Sequence, residues 1–265
     1  MQQIKYFSTF SGIGGFELGI GNVHECVGFS EIDKYAIQIY QHHFPEHKNY
    51  GNITTINAEE LPDFDLLVGG FPCQAFSIAG KRKGFDDTRG TLFFDLARIL
   101  RAKQPRLFLF ENVKGLQSHD NGKTFATIIA TLNELGYDCQ WQVLNSKNHG
   151  VPQNRERVFI IGNLRGTTRP QVFPFGAINQ DIENPRREKR EVVASTLRSK
   201  LGGPDLENSY QFDGGIRKLT PPECERLQGY PVNWTQGISD TQRYKCCGNA
   251  VTVNVIRDIA ERLLN

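Results

Sequence analysis

The chain is poor in sulfur and in tryptophan, with one methionine and two tryptophans in 265 residues. So little methionine argues against an adaptable Met-rich binding surface, and the eighteen phenylalanines point to well-shaped packing instead. The six cysteines (Cys26, Cys73, Cys139, Cys224, Cys246 and Cys247) show no C-x-x-C spacing. Neither a zinc site nor a disulfide framework is suggested, and no metal is expected. No apolar run approaches the ~20 residues needed to span a membrane, and Met1-Gln2-Gln3-Ile4-Lys5 does not read as a signal peptide. Internal repeats and low-complexity tracts are absent from the sequence. These absences make a reducing, cytoplasmic compartment the expectation. The net charge of +2 says little about partners, because phosphate contact depends on local basic clusters.

What the chain does have is enough apolar residue, 38%, for a substantial core. Its length fits one large domain, or one domain plus a small lobe. Apolar stretches alternate with helical patterns from Ile4 to Gly162. Strands are expected at Ile4 to Phe10, Cys26 to Phe29, Leu66 to Val68, Arg106 to Phe110, Gln140 to Leu144 and Val158 to Gly162. A further strand end is read at Gly51 to Thr54. Helices are expected at Phe16 to Ile20, Ala36 to Phe44, Leu92 to Lys103 and Thr124 to Leu135. This alternation implies an α/β fold with a doubly wound, mostly parallel, Rossmann-like sheet.

The chemistry-bearing residues follow strand ends. Gly69-Gly70-Phe71-Pro72-Cys73-Gln74 comes directly after a buried strand, at the sheet edge where such folds put their active sites. Taken alone, Cys73 reads as a buried structural thiol or as a nucleophile. The next stretch, Gly80 to Thr91, is glycine-rich and basic, as a loop closing on a phosphate backbone would be. Glu111 follows the strand Arg106 to Phe110. Burial there would raise its pKa and suit it to proton donation, and the alternative is a turn cap. Glu31 ends the second strand, where such folds bind ribose hydroxyls, and its alternative role is a helix N-terminal charge. Arg155 and Arg157 enter a strand two residues apart, on one side of it, where they could fix an anion or simply pair with neighbours of Glu156 across a sheet. From Leu164 to Gly215 the chain turns polar and irregular, with a basic cluster at Pro185 to Arg190. Beyond it, Thr220 to Gly229 reads as a helix with a capping box at Thr220 and Glu223. Cys247 to Val251 reads as the opening of a terminal helix, Val253 to Leu264.

In this order, Phe10 to Phe16, Gly70 to Gln74, Glu111-Asn112-Val113, Gln153 to Phe159, Arg217 to Pro231 and Gly248 to Val251 resemble the cytosine-5 DNA methyltransferases, typified by bacterial restriction–modification enzymes. The resemblance runs from about residue 4 to the C-terminus, apart from Leu164 to Gly215. It implies methyl transfer from S-adenosyl-L-methionine to C5 of a cytosine flipped out of double-stranded DNA. Cys73 would attack C6, Glu111 would serve N3, and Arg155 and Arg157 would hold the cytosine edge and the neighbouring carboxylate. Phe10, Gly12, Gly14, Gly15, Glu31, Asn52, Pro72 and Asn249 would bind the cofactor. Gln74, Ser77, Lys81, Arg82, Lys83 and Arg89 would contact DNA.

The sequence departs from the family at three places. Ser8-Thr9 stands where an aspartate usually precedes Phe10. Asn52 replaces an aspartate that contacts the adenine. The interval from Leu164 to Gly215, where the family carries its target recognition domain, is short. The expected organisation is a catalytic part at 1–163, a reduced recognition lobe at 164–216 and a return to the catalytic domain at 217–265. The alternatives are an RNA cytosine as substrate, or a chain that depends on a second chain for sequence recognition. The expected setting is the cytoplasm of a prokaryotic or phage-infected cell.

Overall fold

The computed structural model describes residues 3–72, 92–176, 209–212 and 215–265. Eight strands and seven helices are present among them. Six strands form one sheet: β1 (Lys5–Thr9), β2 (Glu25–Ser30), β3 (Leu66–Gly70), β4 (Leu107–Val113), β5 (Tyr137–Asn145) and β6 (Glu156–Leu164), in the order β2-β1-β3-β4-β6-β5. The β1, β2, β3 and β4 strands pair in parallel, and β6 runs antiparallel to both β4 and β5. The mostly parallel α/β sheet expected from the sequence is therefore the one observed.

The two-residue period of the strands divides the core between the two sheet faces. Phe7, Leu67, Phe108, Phe110, Val158 and Ile160 point to one face. There they pack under Phe93, Leu96, Ile99 and Leu100 of α3 (Leu92–Lys103) and Ile128 and Leu132 of α4 (Lys123–Glu134). Tyr6, Leu66, Val68, Leu107, Leu109, Phe159 and Ile161 point to the other. They meet Phe16 and Ile20 of α1 (Gly15–Ile20) and the apolar stripe of α7 (Val253–Leu263). Burial of these side chains, each contributing about 1.5–3 kcal/mol, is what fixes the sheet. A smaller cluster joins Ala36 and Ile39 of α2 (Lys34–His43) to Ile13, Tyr230 and Trp234.

Three expectations are corrected. The segment Gly51 to Thr54 is not a strand end. Gly51 takes φ +75°, Asn52 accepts a hydrogen bond from Thr54 N at 3.1 Å, and a single 3-10 turn follows at Ile53–Thr55. Only Asn49 bridges to the sheet there, opposite Phe29. Second, Cys247 to Asn249 do not open the terminal helix but close another, α6 (Asp240–Asn249). That helix escapes periodicity because its sequence, DTQRYKCCGN, is polar over most of its length and buries residues only at its end. Third, Leu164 to Gly215 is not irregular throughout. β7 (Ser209–Phe212) pairs antiparallel with β8 (Gly215–Lys218), and Val172 and Phe173 are buried in the main core. Helix α5 (Pro221–Leu227) has the expected capping box, with Thr220 N donating to Glu223 Oε2 at 2.7 Å.

Candidate active site

Parallel strands deliver their carboxyl ends to one edge, and the chemistry collects there. From β1 the chain passes through Phe10 and Gly12, both at positive φ, into α1. Glu31 follows β2, Phe71 and Pro72 follow β3, and Glu111 and Asn112 lie near the end of β4. Because β6 is antiparallel, its beginning arrives at this same edge, with Arg157 opposite Val113. These residues, with Arg155 and with Lys245, Gly248 and Asn249 from the end of α6, line one cavity of about 340 Å³.

Glu111 is buried. It lies level with Gly70 on β3, and a Cβ on Gly70 would stand 3.1 Å from its Oε2, so a larger residue there would crowd the carboxylate. Arg157, two register steps away on the same face, places Nε 2.9 Å from Glu111 Oε1. Burial raises the Glu111 pKa above its ordinary value, and Arg157 and then Arg155 pull it part of the way back. Next to it, Asn112 Nδ2 donates to Phe71 O at 2.8 Å. That bond ties the chain just after β3 to the end of β4.

Arg155 precedes β6, and its guanidinium diverges from that of Arg157. It is buried, and Nη2 donates to Gly248 O at 3.1 Å and Ala250 O at 2.8 Å. Burial, reinforced by Arg157, pulls its pKa down to about 9, which leaves it charged at neutral pH. It therefore ties the end of α6, where Asn249 projects, to the start of β6. The two side chains therefore do not point to one side of a strand, as their spacing suggests, although both line the cavity.

On the other side, Glu31 accepts three backbone hydrogen bonds: from Gly12 N at 2.9 Å, Ile32 N at 2.8 Å and Asp33 N at 2.9 Å. Gly12 has φ +55° and nothing within 4 Å of the place a Cβ would take, so the backbone faces open space there. Gly14 and Gly15 are not among the described lining residues. At Gly15 a side chain would collide with Tyr230 and Val251, so that glycine serves helix packing. Asn52 is also absent from the lining. It is exposed and caps the 3-10 turn that replaces the expected strand end. Cys73, Gln74, Ser77, Lys81, Arg82, Lys83 and Arg89 lie outside the described residues.

Two charged lining residues went unnoticed as site residues in the sequence. Asp33 Oδ1 caps α2 through Tyr35 N at 2.9 Å, and its Oδ2 meets Lys245 Nζ at 2.6 Å. Asp33 has the residue type and position of a helix cap, the role it fills at the start of α2, and that signal does not mark a site. Lys245 carried no signal, because α6 has no periodicity.

The family model for C-5 cytosine-specific DNA methylases matches residues 4–214 and 202–265. The chain belongs to this family. Its activity is methylation of cytosine at C5 in DNA. Among its relatives, the type II methyltransferase M1.ScrFI of Lactococcus lactis subsp. cremoris is 40% identical over 98% of this chain and 78% of its own length. The type II methyltransferase M.HhaI of Haemophilus parahaemolyticus is 37% identical over 97% of this chain and 93% of its own. An orphan methyltransferase of Bacillus phage SPR, M.SPRI, is 52% identical over 75% of this chain and 46% of its own. The S. pombe Dnmt2 methyltransferase superimposes with a TM-score of 0.75 at 18% identity, covering 97% of each chain, which bears on the fold alone. Among the described residues no helix is long and apolar enough to cross a membrane.

Proposed function

We propose that this DNA cytosine-5 methyltransferase works by covalent addition of Cys73 to C6 of a flipped cytosine, with S-adenosyl-L-methionine as donor. The observation that carries the reading is Glu111, buried beside Arg157 in the same cavity as Glu31 and Asn249. Cytosine C5 is a weak nucleophile. Addition of the Cys73 thiolate to C6 pushes the ring electrons toward N3 and C5 and makes C5 reactive. Glu111, with its raised pKa, holds or delivers the proton at N3, and Arg157 orients its carboxyl. When bound, S-adenosyl-L-methionine supplies the methyl group that C5 takes up. A base then removes the C5 proton, the C5–C6 double bond re-forms, and the Cys73 thiolate leaves. Because the ring is out of reach in a stacked duplex, the base must be flipped out.

The cavity suits the donor chemically. Glu31 is positioned for ribose hydroxyls, Phe10 for the adenine, Gly12 for close backbone approach, and Pro72 and Asn249 for the remaining walls. Gly14, Gly15 and Asn52 contribute indirectly, through the turn and packing around it. Arg155 is a positioning residue for the Gly248–Ala250 strap. Gln74, Ser77, Lys81, Arg82, Lys83 and Arg89 are assigned to double-stranded DNA, the lysines and arginines to its phosphates. Residues 1–163 and 217–265 form the catalytic part, and 164–216 the reduced recognition lobe, either sufficient alone or completed by a second chain. The setting is the cytoplasm of a bacterial or phage-infected cell.

Transfer of labelled methyl to a mixed-sequence duplex, followed by bisulfite sequencing, tests this. The unaltered protein should label DNA, and Cys73→Ala should label none while still binding cofactor and duplex. Unchanged turnover in Cys73→Ala would overturn the mechanism. Cofactor binding with no label from the unaltered protein would point to a second chain.

A further inference from the structure

The glycine turn on the cofactor side is held from two directions. From the sheet, Glu31 Oε2 accepts Gly12 N. From far along the chain, the indole Nε1–H of Trp234 donates to Ile13 O at 2.8 Å. Gly14 N, on the other face of that same peptide unit, donates to Ser11 O at 3.0 Å. The plane of the Ile13–Gly14 peptide is therefore set by one local bond and one brought in from 221 residues away. Gly12 and Ile13 both line the cavity.

Trp234 is in turn restrained. It is buried, and its ring stacks on His43 with centroids 3.4 Å apart and planes 7° from parallel. The imidazole Nε2 donates to Trp234 O at 2.7 Å. An indole fixed at both its ring and its carbonyl loses little freedom in presenting its N–H, so the bond holds the turn with full effect. The stacked histidine closes the end of α2, and the N-cap of α2 is Asp33, which also lines the cavity. A second arm thus runs from Trp234 back to the cavity rim.

We propose that Trp234 is a positioning residue for the cofactor: its indole N–H sets the Ile13–Gly14 peptide and so presets the turn that receives S-adenosyl-L-methionine. This rests on the assignment of the cavity to that cofactor. The role belongs to the segment between α5 and α6, just after the recognition interval, and not to the glycine motif itself.

The sequence offers a clean test. It contains two tryptophans, and the other, Trp141, lies half exposed on the edge strand β5. In a Trp141→Phe background every tryptophan signal comes from position 234. Replacing that residue with 3-benzothienylalanine, during expression in a tryptophan auxotroph, exchanges the N–H for sulfur within the same ring outline. Trp234→Phe is the second variant. Cofactor affinity is measured calorimetrically without DNA, and methyl transfer is measured at saturating cofactor. The expected result is a dissociation constant raised about three- to tenfold in the sulfur isostere, the loss of one hydrogen bond, with kcat within about twofold. The emission of Trp234 should also shift on cofactor saturation. A purely structural tie would lower the thermal midpoint and leave the affinity unmoved, and that outcome overturns the proposal, as does an emission indifferent to the cofactor. If the Trp141→Phe protein itself bound no S-adenosyl-L-methionine, the cofactor assignment would fall and this inference with it. Unchanged affinity in the isostere alone would remove only the inference.

Discussion

Two carboxylates occupy equivalent places in this fold and live in opposite surroundings. Glu31 and Glu111 each stand at the carboxyl end of a parallel strand and line the same cavity. Glu31 is half-buried and held by three backbone N–H donors, from Gly12, Ile32 and Asp33, with acceptor capacity left on Oε2. Those bonds fix the carboxyl's orientation, which suits it to holding a ligand. Glu111 is buried with one strong side-chain partner, Arg157, and burial moves its pKa upward. Such a group trades a proton more readily, which suits it to the reacting base. A strand end therefore supplies a place, and the donors around it decide what the carboxyl does there.

The widest separation between the two should come from Glu111→Gln. Single-turnover methylation is expected to fall by about 10²-fold or more, in the range of a lost general acid, while cofactor affinity stays within about twofold. A variant that instead lost cofactor binding would merge the two roles and break the comparison. Glu31→Gln should do the reverse. Its amide would point hydrogens at backbone N–H groups that now meet a carboxylate, so cofactor affinity should fall about ten- to a hundredfold. Methyl transfer at saturating cofactor should change far less, and a collapse in that rate would contradict the division.

A third carboxyl sharpens the point through stability. Glu17 on α1 is buried, accepts a hydrogen bond from the Tyr40 hydroxyl at 3.0 Å, and is pushed up to about 7 by burial. In the unfolded chain it ionises near its ordinary value. Between that value and about 7 the folded state holds the extra proton, so stability falls as pH rises across this window and levels off above it. Glu17→Gln should flatten that fall and raise stability at pH 8 by ~1–3 kcal/mol. Chemical denaturation at pH 5 and pH 8 checks this, and an unchanged slope would rule out Glu17 as its source. The smallest effect is expected at the rim. The Asp33–Lys245 pair is partly exposed, so Lys245→Met should weaken cofactor binding by no more than about fivefold, and less at high salt. A larger, salt-independent loss would make the pair part of the cofactor's direct hold.

Where the residues themselves carried the pattern, the sequence could be read closely. The helix expected over Leu92 to Lys103 is α3, residue for residue, because its apolar spacing faces a continuous core. The apolar runs at Leu66 and Leu107 became central strands for the same reason. Glu31 and Glu111 could be picked out because a carboxylate after a buried strand has few places to go. The 3-10 turn at Ile53 and the helix α6 were missed, since side-chain caps and chain direction build them more than hydrophobic period does. The spacing of two puts both arginines on one side of a strand, yet only Arg157 is within the strand, and Arg155 turns to the carbonyls of Gly248 and Ala250.

The sequence by itself determined the α/β class, the sheet's buried strands, the two strand-end carboxylates and the family, because each is written in local order and short spacing. Tertiary structure alone decided which distant groups complete the cavity. Lys245 reaches Asp33 across 212 residues, and Trp234 reaches Ile13 across 221. No local pattern marks such contacts, since they exist only once both faces of the sheet are covered and the two ends of the chain are brought to one edge.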